Sequence, residues 1–383
     1  MATQTIVSGV QYSGIWTMQQ VNAAVAAGTW PGLPFLYSWG YNNGGQLGLG
    51  DTVNRSSPVQ VGALTTWYKI ASGFYGTLSI KTNGTLWGFG LNNQGQLGDG
   101  TTINRSSPIQ VGALTAWLNI AGGYGHSIAT KTDGTLWSWG YNFQGQLGLG
   151  DTVNRSSPVQ VGALTAWSTV AAGSAHTIAT KTDGTLWTWG RNDFGQLGLG
   201  NIIYRSSPNQ VGALTTWLKV ASGGYNTLAI KTDGTLWTWG RGIYGQLGLG
   251  NQTYYSSPKQ VGALTTWLNI AGGLTQTLAT KTDGTLWTWG RNQEGQLGLG
   301  NITNYSSPKQ VGALTTWSKV AGGQFHDVAT KTDGTLWSWG YNSVGQLGLG
   351  NTASRSSPVQ IGALTTWLSI SCGYSNTIGT AAV

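Results

Sequence analysis

Charge is scarce in this chain: Asp, Glu, Lys and Arg supply 8% of its 383 residues, against roughly a quarter in an ordinary soluble domain. The single cysteine, Cys372, excludes an internal disulfide, so the fold needs no oxidising compartment. No apolar run approaches the roughly 18 residues of a membrane-spanning helix, and membrane insertion is not expected. Residues 1–50 contain neither Lys nor Arg and no continuous apolar segment, so secretion by a cleaved signal peptide is not expected either. The formal net charge of +8 is spread along the chain rather than gathered into a basic arm, which argues against nucleic acid as a partner. The chain does have 62 glycines and 21 tryptophans. An aromatic content of 11% can bury too much area for a disordered chain.

Self-similarity organises the rest. Gly-Gln-Leu-Gly begins at Gly45 and recurs every 50 residues to Gly345, without insertion or deletion. Ser-Ser-Pro ends at Pro58 and at each equivalent position to Pro358, and Gly-Ala-Leu-Thr then leads to Trp67 and its equivalents to Trp367. Seven copies of each landmark predict seven structural units.

Within a unit the signals are those of strands and turns. In residues 109–140, Ile109 to Leu114 and Trp117 to Ala121 are short apolar runs bounded by Gly, Pro or Thr, while His126 to Lys131 and Thr135 to Gly140 alternate; four short strands follow. Asp133-Gly134 between the last two predicts a hairpin with a type I′ turn, which needs positive φ at both residues. Trp137 and Trp139, at i and i+2, emerge on one face of their strand. A four-stranded sheet cannot bury two indoles alone, so neighbouring sheets must stack. The C-terminal copy stops where an Asp-Gly turn and a Leu-Trp-x-Trp-Gly strand should follow, and Leu36-Tyr37-Ser38-Trp39-Gly40 is that strand. The expectation is therefore an all-β, seven-bladed propeller of four-stranded antiparallel blades over 34–383. Its last blade would be closed by both ends of the chain, with three strands from 341–383 and one from 34–40.

The run Leu136 to Gly150, followed by Arg155-Ser156-Ser157-Pro158 and later by Gly173 to Thr177, resembles the repeat of the regulator of chromosome condensation family. The resemblance covers residues 34–383 and implies a seven-bladed propeller, in agreement with the closure argument. It implies several functions: nucleotide exchange on a small GTPase, chromatin binding, or inhibition of a β-lactamase by a bacterial member. Exchange factors of the family carry an acidic residue just before the histidine in several repeats. Tyr75, Gly125, Ala175, Tyr225, Thr275, Phe325 and Ser375 occupy those places here, and none is a carboxylate. Nor is there a wedge insertion, or a basic residue in 1–35 to form a chromatin-binding tail.

No catalytic residues, metal site or cofactor are expected. His126, His176 and His326 share one repeat position and read as structural hydrogen-bonding groups, and the repeated Asp-Gly aspartates read as turn residues. The Gly-Gln-Leu-Gly-Leu-Gly runs lack the Lys-Ser/Thr of a phosphate loop and read as blade-connecting turns. Binding residues are sought where the copies differ, because those stretches fall in expected loops. The candidates are Tyr75, Tyr124, His126, Phe194, Tyr204, Tyr225, Tyr244, Tyr254, Phe325 and His326. Arg191, Arg241 and Arg291 join them as a basic arc on three successive blades.

Residues 1–33 lie outside the repeat. Thr17 with Gln20 forms a capping box for a short helix over 18–27, and a helix of about ten residues must dock on something to persist. Trp16, Met18, Val21, Val25 and Trp30 are its candidate anchor residues. The stretch 14–31 also resembles an N-terminal segment of tailed-phage structural proteins. The expectation is a non-enzymatic binding and assembly module. In one form it is a virion protein on a phage tail, fibre or capsid surface, present in multiple copies or as a homo-oligomer. It would dock to virion subunits through 1–33 and meet a host-surface receptor through its loops. In the other form it is a soluble, cytoplasmic inhibitor or regulator that grips a protein partner across one propeller face.

Overall fold

In the computed structural model, which describes residues 34–63 and 66–382, each repeat supplies four strands. The first blade comprises Trp67–Ser72, Gly76–Lys81, Leu86–Gly90 and Arg105–Gln110. The pattern recurs every 50 residues to make seven four-stranded antiparallel sheets around one axis, with the Trp67–Ser72 strand and its equivalents innermost. No helix occurs among the described residues. The helix expected over 18–27 and the anchor residues Trp16, Met18, Val21, Val25 and Trp30 lie outside them.

Two strand assignments need correction. The run expected as a strand at Ile109 to Leu114 is displaced: the outermost strand is Arg105–Gln110, with Pro108 inside it. Proline is tolerated there because an outer strand has a neighbour on one side only, and its missing N–H also blunts the edge against pairing with other chains. The displacement changes the closure. The seventh blade is built from two strands of each chain end: Phe35–Gly40 and Arg55–Gln60 beside Trp367–Cys372 and Asn376–Ala381. The joining register pairs Phe35 with Ala381, Tyr37 with Gly379 and Trp39 with Thr377.

The hairpin turns also differ from expectation. Gly134 N donates to Lys131 O at 3.0 Å and Lys131 N to Thr135 O at 3.0 Å. Only Gly134, at φ 77°, is left-handed there. This is the three-residue loop closed by a left-handed glycine, not the two-residue type I′ turn. Asp133 stays in ordinary backbone space because its carboxylate is used locally. Its Oδ1 accepts from Thr135 N at 2.9 Å and from Thr135 Oγ1 at 2.6 Å. Thr135 Oγ1 in turn accepts the Trp137 indole N–H at 2.9 Å.

The core lies between blades. In the third blade Trp167, Trp187 and Trp189 share a face, with the Trp167 ring 6.0 Å from Trp187 and 6.2 Å from Trp189 in edge-on contacts. They press against Ile128 and Leu136 of the second blade. Trp189 is fully buried, and truncating such a ring costs about 3–5 kcal/mol. Its Nε1 donates to Gln146 O at 2.9 Å, and Thr177 Oγ1 donates to the same carbonyl at 2.8 Å. The Gly-Gln-Leu-Gly loop of one repeat is thereby fastened to the next blade, and these runs are blade-connecting turns. A Cβ at Gly148 would lie 2.7 Å from Trp189 Nε1, and its φ is +75°.

Among the described residues, six backbone hydrogen bonds link the innermost loops of neighbouring blades next to the axis. One is Phe74 N to Gly123 O at 3.1 Å, and another, Tyr374 N to Phe74 O at 3.1 Å, crosses the seam where the chain ends meet.

Gly148→Val, which meets both a left-handed φ and an indole, should lower the unfolding free energy by about 2–4 kcal/mol. Gly162→Ala should cost only about 1 kcal/mol, because Gly162 has a left-handed φ but no atom within 4 Å of its Cβ position. Urea-unfolding midpoints of the two variants test the difference.

Candidate functional site

Antiparallel strands send all loops of one kind to one end of the ring. The stretches at 73–75 and 41–54, with their equivalents, lie on what we call the upper face; backbone bonds such as Tyr141 N to Gly125 O at 2.7 Å join them. The Asp-Gly hairpins and the Gly-Ala-Leu-Thr loops lie on the lower face, joined by bonds such as Trp167 N to Gly134 O at 3.0 Å. The upper face therefore collects the loops in which the seven copies differ.

Two aromatic clusters form there. The first surrounds the axis across the closing seam. Phe74 lies 5.1 Å from Tyr124 and 5.3 Å from Tyr374, and Tyr75 lies 5.7 Å from Tyr124 and 5.3 Å from Tyr374. Tyr124 is 49% exposed. Burial, with the neighbouring phenols of Tyr124, Tyr374 and Tyr41, pushes the Tyr75 hydroxyl up to about 12. Sequence reasoning selected Tyr75 and Tyr124, placed Phe74 in the same variable stretch without selecting it, and missed Tyr374. Tyr374 joins the cluster only because the last blade meets the first; its signal was that it shares a repeat position with Phe74 and Tyr124. Beneath the cluster is an axial cavity of about 130 Å³ lined largely by glycine, with Cys372 at its wall.

The second cluster spans the third to sixth blades. The Phe194 ring lies 5.5 Å from Tyr225 and 5.4 Å from Tyr254. Three guanidinium groups alternate with rings. Arg191 is 5.4 Å from Tyr225, Arg241 is 5.2 Å from Phe194 and 5.9 Å from Tyr244, and Arg291 is 4.4 Å from Phe325. Tyr204 is tied in by donating its hydroxyl to Asp193. Arg191, Phe194, Tyr204, Tyr225, Arg241, Tyr244, Tyr254, Arg291 and Phe325 are thus brought into one arc. Tyr75 and Tyr124 stand apart from it in the axial cluster.

His126 and His326 belong to neither cluster. They are 1% and 0% exposed, so the structure gives them no surface to offer a partner. With His176 they form buried bridges between blades. Nε2 of His126, His176 and His326 pairs with Thr177, Thr227 and Thr377 Oγ1 at 3.0, 3.1 and 3.0 Å. Burial pulls the imidazole of His126 down to about 4. It pulls His176 to about 3, helped by His126, and His326 to about 3.

Asp327 is the odd member of this ring. It stands where Thr277 and Thr377 donate a hydroxyl to the carbonyl of the preceding loop. It is fully buried, and its Oδ1 accepts from Gln276 Nε2 at 3.0 Å while Oδ2 has no partner. Burial pushes its carboxyl well above the usual carboxylate range. Among the described residues no three His, Cys, Asp or Glu side chains converge to hold a metal ion, and no helix is long and apolar enough to cross a membrane.

The unfolded chain binds protons on histidine below about pH 6.5, whereas the folded ring refuses them until about 3–4. The unfolded state therefore gains relative to the folded one as pH falls through that window, by about 1–3 kcal/mol per histidine. Asp327, whose carboxyl burial pushes well above the usual carboxylate range, shifts stability in the opposite sense and opposes part of the loss. Replacing all three histidines with Asn, the residue at 226 and 376, should flatten the urea-midpoint profile between pH 7 and 4. Asp327→Thr should raise stability at pH 7 by about 1–3 kcal/mol, read from thermal unfolding.

A family model described as RCC1-like domain matches residues 170–379. One described as regulator of chromosome condensation (RCC1) repeat matches residues 35–80, 83–130 and 133–180. The chain is similar to three solved structures. Human WBSCR16 is 23% identical, covering 91% of this chain and 98% of that one, with a TM-score of 0.83. Prp20p of Saccharomyces cerevisiae, a protein described with binding properties to Gsp1p and histones, is 21% identical over 92% of each chain with a TM-score of 0.81. Yeast RCC1 (Prp20) bound to Kap60 is 20% identical over 100% of this chain and 96% of that one, with a TM-score of 0.82. At these identities the structures establish a common fold.

Proposed function

The chain belongs to the family of regulator of chromosome condensation repeat propellers, and on that premise we propose that it is a non-catalytic binding protein that grips a protein partner across its upper face. One observation carries the reading: the loops in which the copies differ most over consecutive positions lie on that face and are rich in Tyr, Phe and Arg. Aromatic rings offer large contact area with few rotatable bonds, and Tyr and Arg are enriched among the residues that dominate the energetics of protein interfaces. The relatives support a protein as the partner, since Prp20p binds Gsp1p and histones and yeast RCC1 binds Kap60. The electrostatics favour an acidic partner over a basic one. Each of the upper-face carboxylates Asp51, Asp99, Asp151, Asp193 and Glu294 is already paired with an arginine, so none is free for a cationic surface.

A virion role rested on the uncharged segment 1–33, its phage-like stretch 14–31 and the low-charge aromatic ring; residues 1–33 lie outside the described residues, and a low-charge aromatic ring does not by itself point to a virion. Prp20p is described with binding properties to Gsp1p and histones, and yeast RCC1 is described bound to Kap60, which favours the partner-gripping reading.

The full chain, immobilised, should retain a stoichiometric protein partner, and Tyr124→Ser with Tyr374→Ser should weaken retention by about tenfold or more. Leu264→Ser with Leu314→Ser, on the exposed lower-face loops, should leave it unchanged. Loss of the partner from the lower-face variant alone would overturn the assignment.

A further inference from the structure

Arg191, Arg241 and Arg291 occupy one repeat position on three successive blades, but Arg241 alone of the three has no acidic partner among the described residues. Arg191 holds Asp193 at 2.5 Å. Arg291 holds Glu294 at 3.6 Å and Gln293 Oε1 at 2.7 Å. Arg241 is followed by Gly242, Ile243 and Tyr244, so the place of Asp193 is taken by an aliphatic side chain. Among the described residues Arg241 has no hydrogen-bond or ion-pair partner for its guanidinium, and of its nitrogens only Nε is both unpaired and shut away from solvent. The group is nonetheless held in place. The rings of Phe194, Tyr225 and Tyr244 lie 5.2, 5.4 and 5.9 Å from it. Its backbone N donates to Tyr225 O at 3.0 Å. Arg205 and Arg355, which also lack a carboxylate, stand on outer strands with no such ring contacts.

A guanidinium stacked among rings, with its fork end open and no internal acid, is prepared to take a planar oxyanion in a two-point contact. Its ordering cost is met before the ligand arrives. We propose that Arg241 is the docking point for a carboxylate of the protein partner, an Asp or Glu side chain in an acidic segment that pairs end-on with Nη1 and Nη2. The assignment rests on the upper-face reading above and adds the chemistry of one contact to it. Arg191 and Arg291, each with its own acid, frame the site without competing for the same group.

The test uses full-length protein with isotope-labelled arginine side chains, titrated by NMR with N-acetyl-glutamate N-methylamide. The uncharged N-acetyl-glutamine N-methylamide and inorganic phosphate serve as parallel probes. The Arg241 side-chain resonance should shift saturably with the glutamate compound and not with the glutamine one, while Arg191 and Arg291 stay in place. Ile243→Asp, which restores the internal carboxylate that Arg191 has, should weaken binding by about tenfold or more without changing the unfolding midpoint. Arg241→Gln should abolish the shift. The proposal is overturned by the absence of a saturable shift, by equal shifts at all three arginines, by insensitivity to Ile243→Asp, or by phosphate binding as tightly as the glutamate compound. If Arg241 fails to respond while Tyr124→Ser with Tyr374→Ser still releases the partner, only this contact is wrong and the face stands.

Discussion

The ring is held by a carbonyl that receives two donors. Gln146 O takes the indole N–H of Trp189 and the hydroxyl of Thr177, both from the following blade. Each bond contributes about 1 kcal/mol net, but a buried donor left without its acceptor costs more than that. The stacking of indoles on Leu and Ile supplies most of the burial, and it has little directionality. The paired bonds fix how far one blade is rotated against its neighbour. Departures remove one donor at a time. The first blade has Phe89 in place of the indole and keeps Thr77 Oγ1 on Gln46 O. The sixth has Asp327 in place of the hydroxyl and keeps Trp339 Nε1 on Gln296 O.

This arrangement explains the composition. A core of indoles between blades needs no buried ion pairs, and apart from Asp327 the acids lie in the loops at the two ends of the strands. Lower-face aspartates close hairpins, and upper-face acids hold arginines beside the loops. Because the scaffold is defined by glycine, tryptophan and a few hydroxyls, the upper-face stretches can change from copy to copy without disturbing it. That freedom is where recognition by the family's propellers can diverge while their fold stays common.

The fold was legible because the period is invariant and the Trp-x-Trp spacing has a physical demand attached to it. Strand boundaries were less so. Pro108 reads locally as a breaker, and only the knowledge that its strand is outermost makes it acceptable. The turn at Asp133-Gly134 was misassigned for a related reason: the dipeptide suits two hairpin types, and the choice lies in the bond from Thr135 Oγ1 to Asp133, three-dimensional detail that composition does not carry. Of the candidate contact residues, the arc from Arg191 to Phe325 was visible as variation at equivalent positions. His126 and His326 were placed among the contacts because they vary too. They vary inside the ring, however, where Asn, Gln and Gly are alternative ways to fill the same interblade space. Tyr374 was missed because its neighbours are some 300 residues away along the chain.

The shared seventh blade has a kinetic corollary. Residues 35–60 and 367–381 make one sheet, so a ribosome releases the opening pair of strands long before the pair that completes them. Until then six finished sheets present apolar flanks at both ends of an open arc, a species prone to associate with its own kind. Sealing the arc is a contact of very high sequence separation, of the sort that slows folding. The blades stacked between the two ends hold them near each other, which replaces a long random search with a short one.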